Sequence, residues 1–553
     1  MQSKSPLQQA RLHYQPRLPA SLQNLKTASF VKTLGGMPGF VSPQIADLFP
    51  LTHESPSLQC VNGQVGEHHP KRVGIVLSGG QAPGGHNVIS GLYDALKTLN
   101  PASTLIGFLD GPGGIVNDRT IEITESLLAG YRNQGGFDLI GSGRTKIETP
   151  AQFEAAEASM RKHQLDGLVV VGGDDSNTNA ALLAEYFSAH KCSTVVVGVP
   201  KTIDGDLKSE AIEISFGFDT ASKNYSGTIG SIMSDALSAK KYYYFIKLMG
   251  RSASHITLEC ALQTHPNLVF ISEEVAEKKQ TLKDLIDAIC DLICQRASKG
   301  KNYGVILLPE GMVEFIPEMK RLIEELNSLL AAEKLHHAAL EKLNSNEEKV
   351  GYVEKLLSKE ALSCFQTLPK ENQSQLFIGR DSHGNVQVSK IETERMMIEL
   401  VEAELKKRSE KEGYKGLFSA VPHFCGYEGR SCLPSNFDSH YCYALGHAAA
   451  LLIDAKANGY IACMKNLCKP VEEWIPGGIS LTALMTIEER HGKNKPVIRK
   501  ALVDLNGKPF ALFQQHRSEW TQEDDYVNPG PVQFFGPQEI SDRITLTLTL
   551  EHV

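Results

Sequence analysis

The sequence predicts an α/β protein with mainly parallel sheets, and three observations carry that prediction. Short apolar runs at 73–77, 104–108, 168–171, 194–199, 245–249, 268–271 and 305–308 alternate with stretches of helical periodicity. These runs read as strands buried on both faces, the pattern of parallel sheets covered by helices in βαβ units. Glycine-rich and acidic clusters fall at the carboxyl ends of the runs, where open α/β sheets hold their ligands.

Taken in chain order, residues 1–70 are irregular, interrupted by Pro16, Pro19, Pro38, Pro43, Pro50, Pro56 and Pro70. They are expected to form an arm packed on the body or on a neighbouring subunit. The βα alternation begins at Val73. Over residues 317–412 the chain turns helical and highly charged. Ile323, Leu326, Leu329 and Leu330 have helical spacing, as do Met396, Met397, Leu400, Val401 and Leu405. Gly351, Pro369 and Gly379 break any sustained coiled coil, so this stretch reads as a helical insertion into the second α/β region. The two βα regions fit a duplicated pair of domains or one decorated domain.

Composition narrows the class. A chain of 553 residues is too long for one ordinary core, and 41% hydrophobic with 22% charged residues excludes a disordered chain. A net charge of −8 argues against a general nucleic-acid binder, so a bound anion must be held by local basic groups. The 11 cysteines are odd in number and form no CxxC pair, which points to free thiols in a reducing cytoplasm. No apolar stretch reaches about 18 residues and no signal-like segment opens the chain, so neither membrane insertion nor export is expected.

Five segments bear chemistry. After the run 168–171, Gly172-Gly173-Asp174-Asp175-Ser176 leads into a helix. Glycines let a backbone approach a ligand closely, and a helix N-terminus attracts anions. Two carboxylates there make electrostatic sense once a cation joins them, and Mg²⁺ on phosphate oxygens is the candidate. Upstream, Ser78-Gly79-Gly80 through Gly84-Gly85 joins a strand to a helix. It is neither a Walker A loop nor a dinucleotide fingerprint, and reads equally as an anion cradle around Gly80 or a tight turn. Gly141-Ser142-Gly143-Arg144-Thr145-Lys146 adds two cations, of which Arg144 reads equally as a surface charge.

The segment Pro200-Lys201-Thr202-Ile203-Asp204-Gly205-Asp206 sets two carboxylates two residues apart at a strand end. One suits a general base while its neighbour supports metal or geometry, the alternative being an Asx-type turn. Lys201 is then an ion-pair partner or a stabiliser of a migrating phosphoryl group. Next comes Lys240-Lys241-Tyr242, followed by Met249-Gly250-Arg251, where a strand ends in a guanidinium suited to phosphate. Glu310, at another strand end, binds sugar hydroxyls or caps a loop. Gly426-Tyr427-Glu428-Gly429-Arg430 is a second glycine-flanked arginine, otherwise a surface loop.

In this order the segments resemble the phosphofructokinase family over most of residues 71–460, and within it the long, pyrophosphate-dependent branch. Gly-Gly-Asp-Asp-Ser at 172–176, Pro-Lys-Thr-Ile-Asp-Gly-Asp at 200–206 and Met-Gly-Arg at 249–251 carry the likeness, with the chain length and helical insertion. The resemblance implies two Rossmann-like three-layer α/β/α domains with mainly parallel sheets: an arm at 1–70, a pyrophosphate and Mg²⁺ domain at approximately 71–240, with room for the chain to cross between domains, and a fructose 6-phosphate domain at 241–553. It implies reversible phosphoryl transfer from pyrophosphate to the sugar 1-hydroxyl, with Asp204 as base, Asp174 on Mg²⁺ and Gly80 on pyrophosphate. Thr202, Ile203 and Asp204, with Met249, Gly250, Arg251 and Glu310, would hold the sugar phosphate. Tyr427, Glu428, Gly429 and Arg430 would complete its 6-phosphate pocket. Lys241 and Tyr242 match residues that reach a neighbouring subunit's site, implying a homodimer or larger homo-oligomer. Arg144 and Asp206 are weaker carry-overs.

The resemblance also bears on the donor. ATP-using relatives carry glycine where this chain has Asp175 and Lys201. A carboxylate at 175 would repel an α-phosphate by about 4 kcal/mol at 4 Å and an effective dielectric of 20. That exceeds the roughly 1.4 kcal/mol that makes a tenfold difference. Lys201 would stabilise the transferred group. Since base, metal acid and phosphate arginines are all present, a silent regulatory subunit is disfavoured, and the acidic pairs speak against a dinucleotide oxidoreductase.

Overall fold

The computed structural model describes residues 4–33, 41–53, 55–332, 339–340, 342–378, 386–411, 413–490, 493–533 and 544–552; Pro38, Gly379 and Glu412 lie outside them. The strands are β1 (Ala28–Lys32), β2 (Leu58–Asn62), β3 (Arg72–Leu77), β4 (Thr104–Phe108), β5 (Thr120–Ile123), β6 (Gly167–Gly172), β7 (Val195–Pro200) and β8 (Tyr243–Leu248). There follow β9 (Leu268–Val269), β10 (Gly304–Pro309), β11 (Ala420–Cys425), β12 (Tyr460–Lys465), β13 (Ile475–Ser480), β14 (Met485–Arg490) and β15 (Lys493–Ile498). All seven expected strands are present. The one expected at 268–271 ends at Val269, because Ile271 already caps the helix Ser272–Glu277.

The first compact unit comprises Met1–Asn224, Tyr427–Ala501 and Val532–Val553. Its nine-stranded sheet runs β1-β2-β13-β12-β7-β6-β3-β4-β5. The strands β12, β7, β6, β3 and β4 are mutually parallel, and the edges are antiparallel. Helices cover this sheet because β6 and β7 are buried at every position and need apolar cover on both faces. Val76, Phe108, Leu168, Val170, Leu183 and Ile461 lie in its core. The arm packs on its own unit: β1 and β2 extend the sheet edge, and the buried Arg11 donates to Asn133 O, Pro434 O and Ser439 Oγ.

The second unit comprises Tyr225–Gly426 and Leu502–Pro531, around the all-parallel sheet β11-β8-β10-β9. The helical insertion belongs here: Leu322, Leu326, Phe365, Met397 and Val401 enter the same core as Tyr243, Phe245, Ile306 and Leu308. The unit boundaries differ from the 240/241 division read in the sequence. The first falls at Asn224/Tyr225, inside the unbroken helix Phe218–Ala239, where periodicity gives no sign of a crossing, and Tyr427–Arg430 lies in the first unit. Among the described residues no helix is long and apolar enough to cross a membrane.

Candidate active site

Three strand ends of the first unit bring the expected residues together. β3 is hydrogen-bonded beside β6, and β6 beside β7, so the turns after them are neighbours. Ser78 N donates to Val171 O at 2.8 Å and Lys201 N to Gly172 O at 2.9 Å, while Ser176 Oγ donates to Ser78 Oγ at 2.8 Å. The helix Asp174–Ala189 thus opens with both acids in its first turn, favoured by the N-terminal partial charge. Asn177 Nδ2 ties the turn by donating to Gly172 O at 2.6 Å.

A cationic cluster lies against the turn after β3. A Cβ on Gly80 would sit 3.2 Å from Arg430 Nη1 and 3.6 Å from Arg144 Nη2, so any side chain here would crowd both guanidiniums. A Cβ on Gly79 would lie 3.4 Å from Lys201 Nζ. Lys201 is buried, and that burial pushes its ammonium down to about 8; Arg430 adds to the depression while Asp204 and Asp174 oppose it. Arg430, assigned from sequence to the sugar 6-phosphate, therefore stands on the Gly80 side of the first unit. Its guanidinium lies 5.4 Å over the exposed Tyr427 ring, with Glu428 also exposed and Gly429 buried.

Three acids lie near the same cluster, Asp174, Asp204 and Asp206. Gly205 takes φ +74°, which lets the chain reverse between Asp204 and Asp206. Asp204 N is held by Thr202 Oγ1 at 3.1 Å, and Ser215 Oγ donates to Thr202 O at 3.0 Å; Ile203 is buried. Asp206 is buried and pushed up to about 7, first by desolvation, then by Asp204 and Asp174, with Lys500 partly offsetting them. Lys500 Nζ lies 3.6 Å from Asp174 Oδ2, and Lys146 Nζ 3.2 Å from Asp175 Oδ1. Sequence reasoning missed Lys500, which follows β15 and carries no motif. β15 reaches the site because Ile498 N donates to Thr178 Oγ1 at 3.0 Å.

Three carboxylates that feel one another suit a hard divalent cation on their oxygens. Among the described residues no three His, Cys, Asp or Glu side chains are arranged to hold an ion unaided.

In the second unit, β8 and β10 are paired and end together. Gly250 N donates to Glu310 Oε2 at 3.2 Å, and Met249 N to Cys425 O at 3.2 Å. A Cβ on Gly311 would lie 1.8 Å from Arg251 O, so only glycine permits this approach. Met249, Gly250, exposed Arg251 and buried Glu310 therefore share one sheet end. Lys241 and Tyr242 do not join them. They precede the six-residue β8, with Lys241 Nζ 5.0 Å over the Tyr242 ring. A strand of that length separates the two sets by roughly 20 Å.

The family profile described as Phosphofructokinase matches residues 72–355. The chain is 51% identical over 553 residues to the β subunit of pyrophosphate–fructose 6-phosphate 1-phosphotransferase from Solanum tuberosum, covering 99% of this chain and 94% of that one. It is 51% identical over 565 residues to the Treponema pallidum enzyme of the same name, covering 99% and 97%. The pyrophosphate-dependent phosphofructokinase structure from Nitrosospira multiformis matches at TM-score 0.52 and 15% identity over 86% of this chain and 96% of that one, a likeness of fold alone.

Proposed function

The chain belongs to the phosphofructokinase family, and we infer that it transfers a phosphoryl group from pyrophosphate to the 1-hydroxyl of fructose 6-phosphate. The products are fructose 1,6-bisphosphate and phosphate. The reaction is reversible because the bonds broken and made are of similar energy, which suits glycolysis and gluconeogenesis alike. Within the full-length likeness, the pairing of Asp175 with Lys201 carries the choice of donor.

Phosphoryl transfer asks a protein mainly for positioning and charge neutralisation. Asp204 takes the proton from the attacking 1-hydroxyl, held in place by the Thr202 hydroxyl bond to its own amide. Gly80 lets diphosphate approach the backbone, and Lys201, Arg144 and Arg430 supply positive charge around it. Asp174, seconded by Asp206, would hold Mg²⁺, whose charge offsets that of the phosphate oxygens when it is bound. Met249, Gly250, Arg251 and Glu310, gathered at one sheet end of the second unit, receive the sugar phosphate.

Lys241 and Tyr242 serve a neighbouring copy's acceptor site, which makes a homodimer the smallest complete unit. Eleven unbridged cysteines support a reducing, cytoplasmic setting. A coupled assay with pyrophosphate or ATP, each with and without Mg²⁺, tests the reading. Turnover is expected only with pyrophosphate and Mg²⁺. Turnover with ATP and none with pyrophosphate would overturn it.

A further inference from the structure

Asp175 opens a difficulty that its charge alone does not resolve. A bare carboxylate at the mouth of a diphosphate cradle repels the chosen donor as well as a nucleotide tail. We propose that Lys146 is a positioning and specificity-determining residue, which cancels the charge of Asp175 toward pyrophosphate while fixing the carboxylate where it blocks a longer donor. This rests on the reading of Asp175 as the donor selector.

The placement of Lys146 is built rather than incidental. Asn179 lies one helical turn beyond Asp175 on Asp174–Ala189. Its side-chain amide clasps the Ile147 peptide from both sides, accepting from Ile147 N at 3.1 Å and donating to Ile147 O at 2.8 Å. Ile147 itself is fully buried in the first core. The same stretch is fixed at its other end, where Gly79 N donates to Gly143 O at 2.9 Å and Ser78 bridges Gly143. A segment anchored at Gly143 and Ile147 has little freedom at Lys146, and its ammonium meets Asp175 at 3.2 Å. On the adjacent acid, Asp174 Oδ2 lies 3.6 Å from Lys500 Nζ. With its charge matched, Asp175 excludes a nucleotide by the volume it and Lys146 fill.

The test is a double-mutant cycle read by KM and by calorimetric binding of methylenediphosphonate. Lys146→Met is expected to weaken both for the diphosphate about five-fold, the scale of a half-exposed ion pair. The KM for fructose 6-phosphate and kcat should hold, and Lys146→Arg should restore binding. In an Asp175→Asn background the same Lys146→Met change should have no effect, and Asp175→Asn should still exclude ATP. An equal five-fold loss in both backgrounds, or ATP use by Asp175→Asn, would overturn the role of Lys146 while leaving Asp175 as selector. Asp175→Gly that neither admits ATP nor alters pyrophosphate use would instead remove the donor reading itself.

Discussion

Lys201 is the residue whose chemistry depends most on its surroundings. In its proposed role it must be an ammonium to stabilise the transferred group, yet burial and then Arg430 push it down to about 8. The sign follows directly: the useful form is the protonated one, present below that value and lost as pH rises through it. The kcat/KM for pyrophosphate should therefore fall on the alkaline side with a midpoint near 8, since that ratio reports the free enzyme. Lys201→Arg should move the fall beyond the accessible range, because guanidinium keeps its proton. A profile flat to pH 9 in the parent enzyme would contradict the assignment. At this scale the sequence was informative wherever a residue stood in a motif, as Asp174, Asp175, Lys201 and Asp204 do. It was silent on Lys500, whose proximity to Asp174 depends on a hairpin some 320 positions downstream, docked where Ile498 N donates to Thr178 Oγ1 and Ala501 N donates to Asp206 O.

The elements that were legible are those buried on both faces. β6 and β7 are uninterrupted apolar runs, so their period and length agree with their place in mid-sheet. β11 to β15 were not read. β11 is only half-buried along most of its length, and β13 contains Pro476, Gly477 and Gly478, residues that argue against a strand and are tolerated near an antiparallel edge. The arm was read as irregular for its prolines, but β1 pairs with β2, and β2 joins the sheet through β13, far along the chain. Its anchor is Arg11, fully buried with three acceptors on segments 133 and 434–439. Arg11→Ala should cost about 3 kcal/mol, because several buried acceptors lose their donor together. A urea midpoint lowered accordingly, with little rescue by Arg11→Lys, is the expected measurement. An unchanged midpoint would mean that the arm is held elsewhere.

For the whole molecule, the decisive geometry is that of β8. Lys241 and Tyr242 enter it, Met249 to Arg251 leave it, and a rigid parallel strand paired on both sides keeps the two sets apart. On the proposed role of Lys241 and Tyr242, one copy of the chain does not bring both sets to one acceptor, and a two-fold assembly would, each copy lending its Lys241 end to the other. Complementation tests this without a structure of the assembly. An Asp204→Ala chain lacks the proposed base and should lose most of its kcat, while a Lys241→Ala, Tyr242→Ala chain lacks only what it is proposed to lend. In a mixed dimer one site inherits both defects, and the other combines an intact Asp204 with an intact partner Lys241. Random equal mixing makes half the dimers mixed, so unfolding and refolding the two inactive proteins together should recover about a quarter of the parent activity. Recovery no greater than the sum of the separate residual activities would show that Lys241 and Tyr242 serve no neighbouring site.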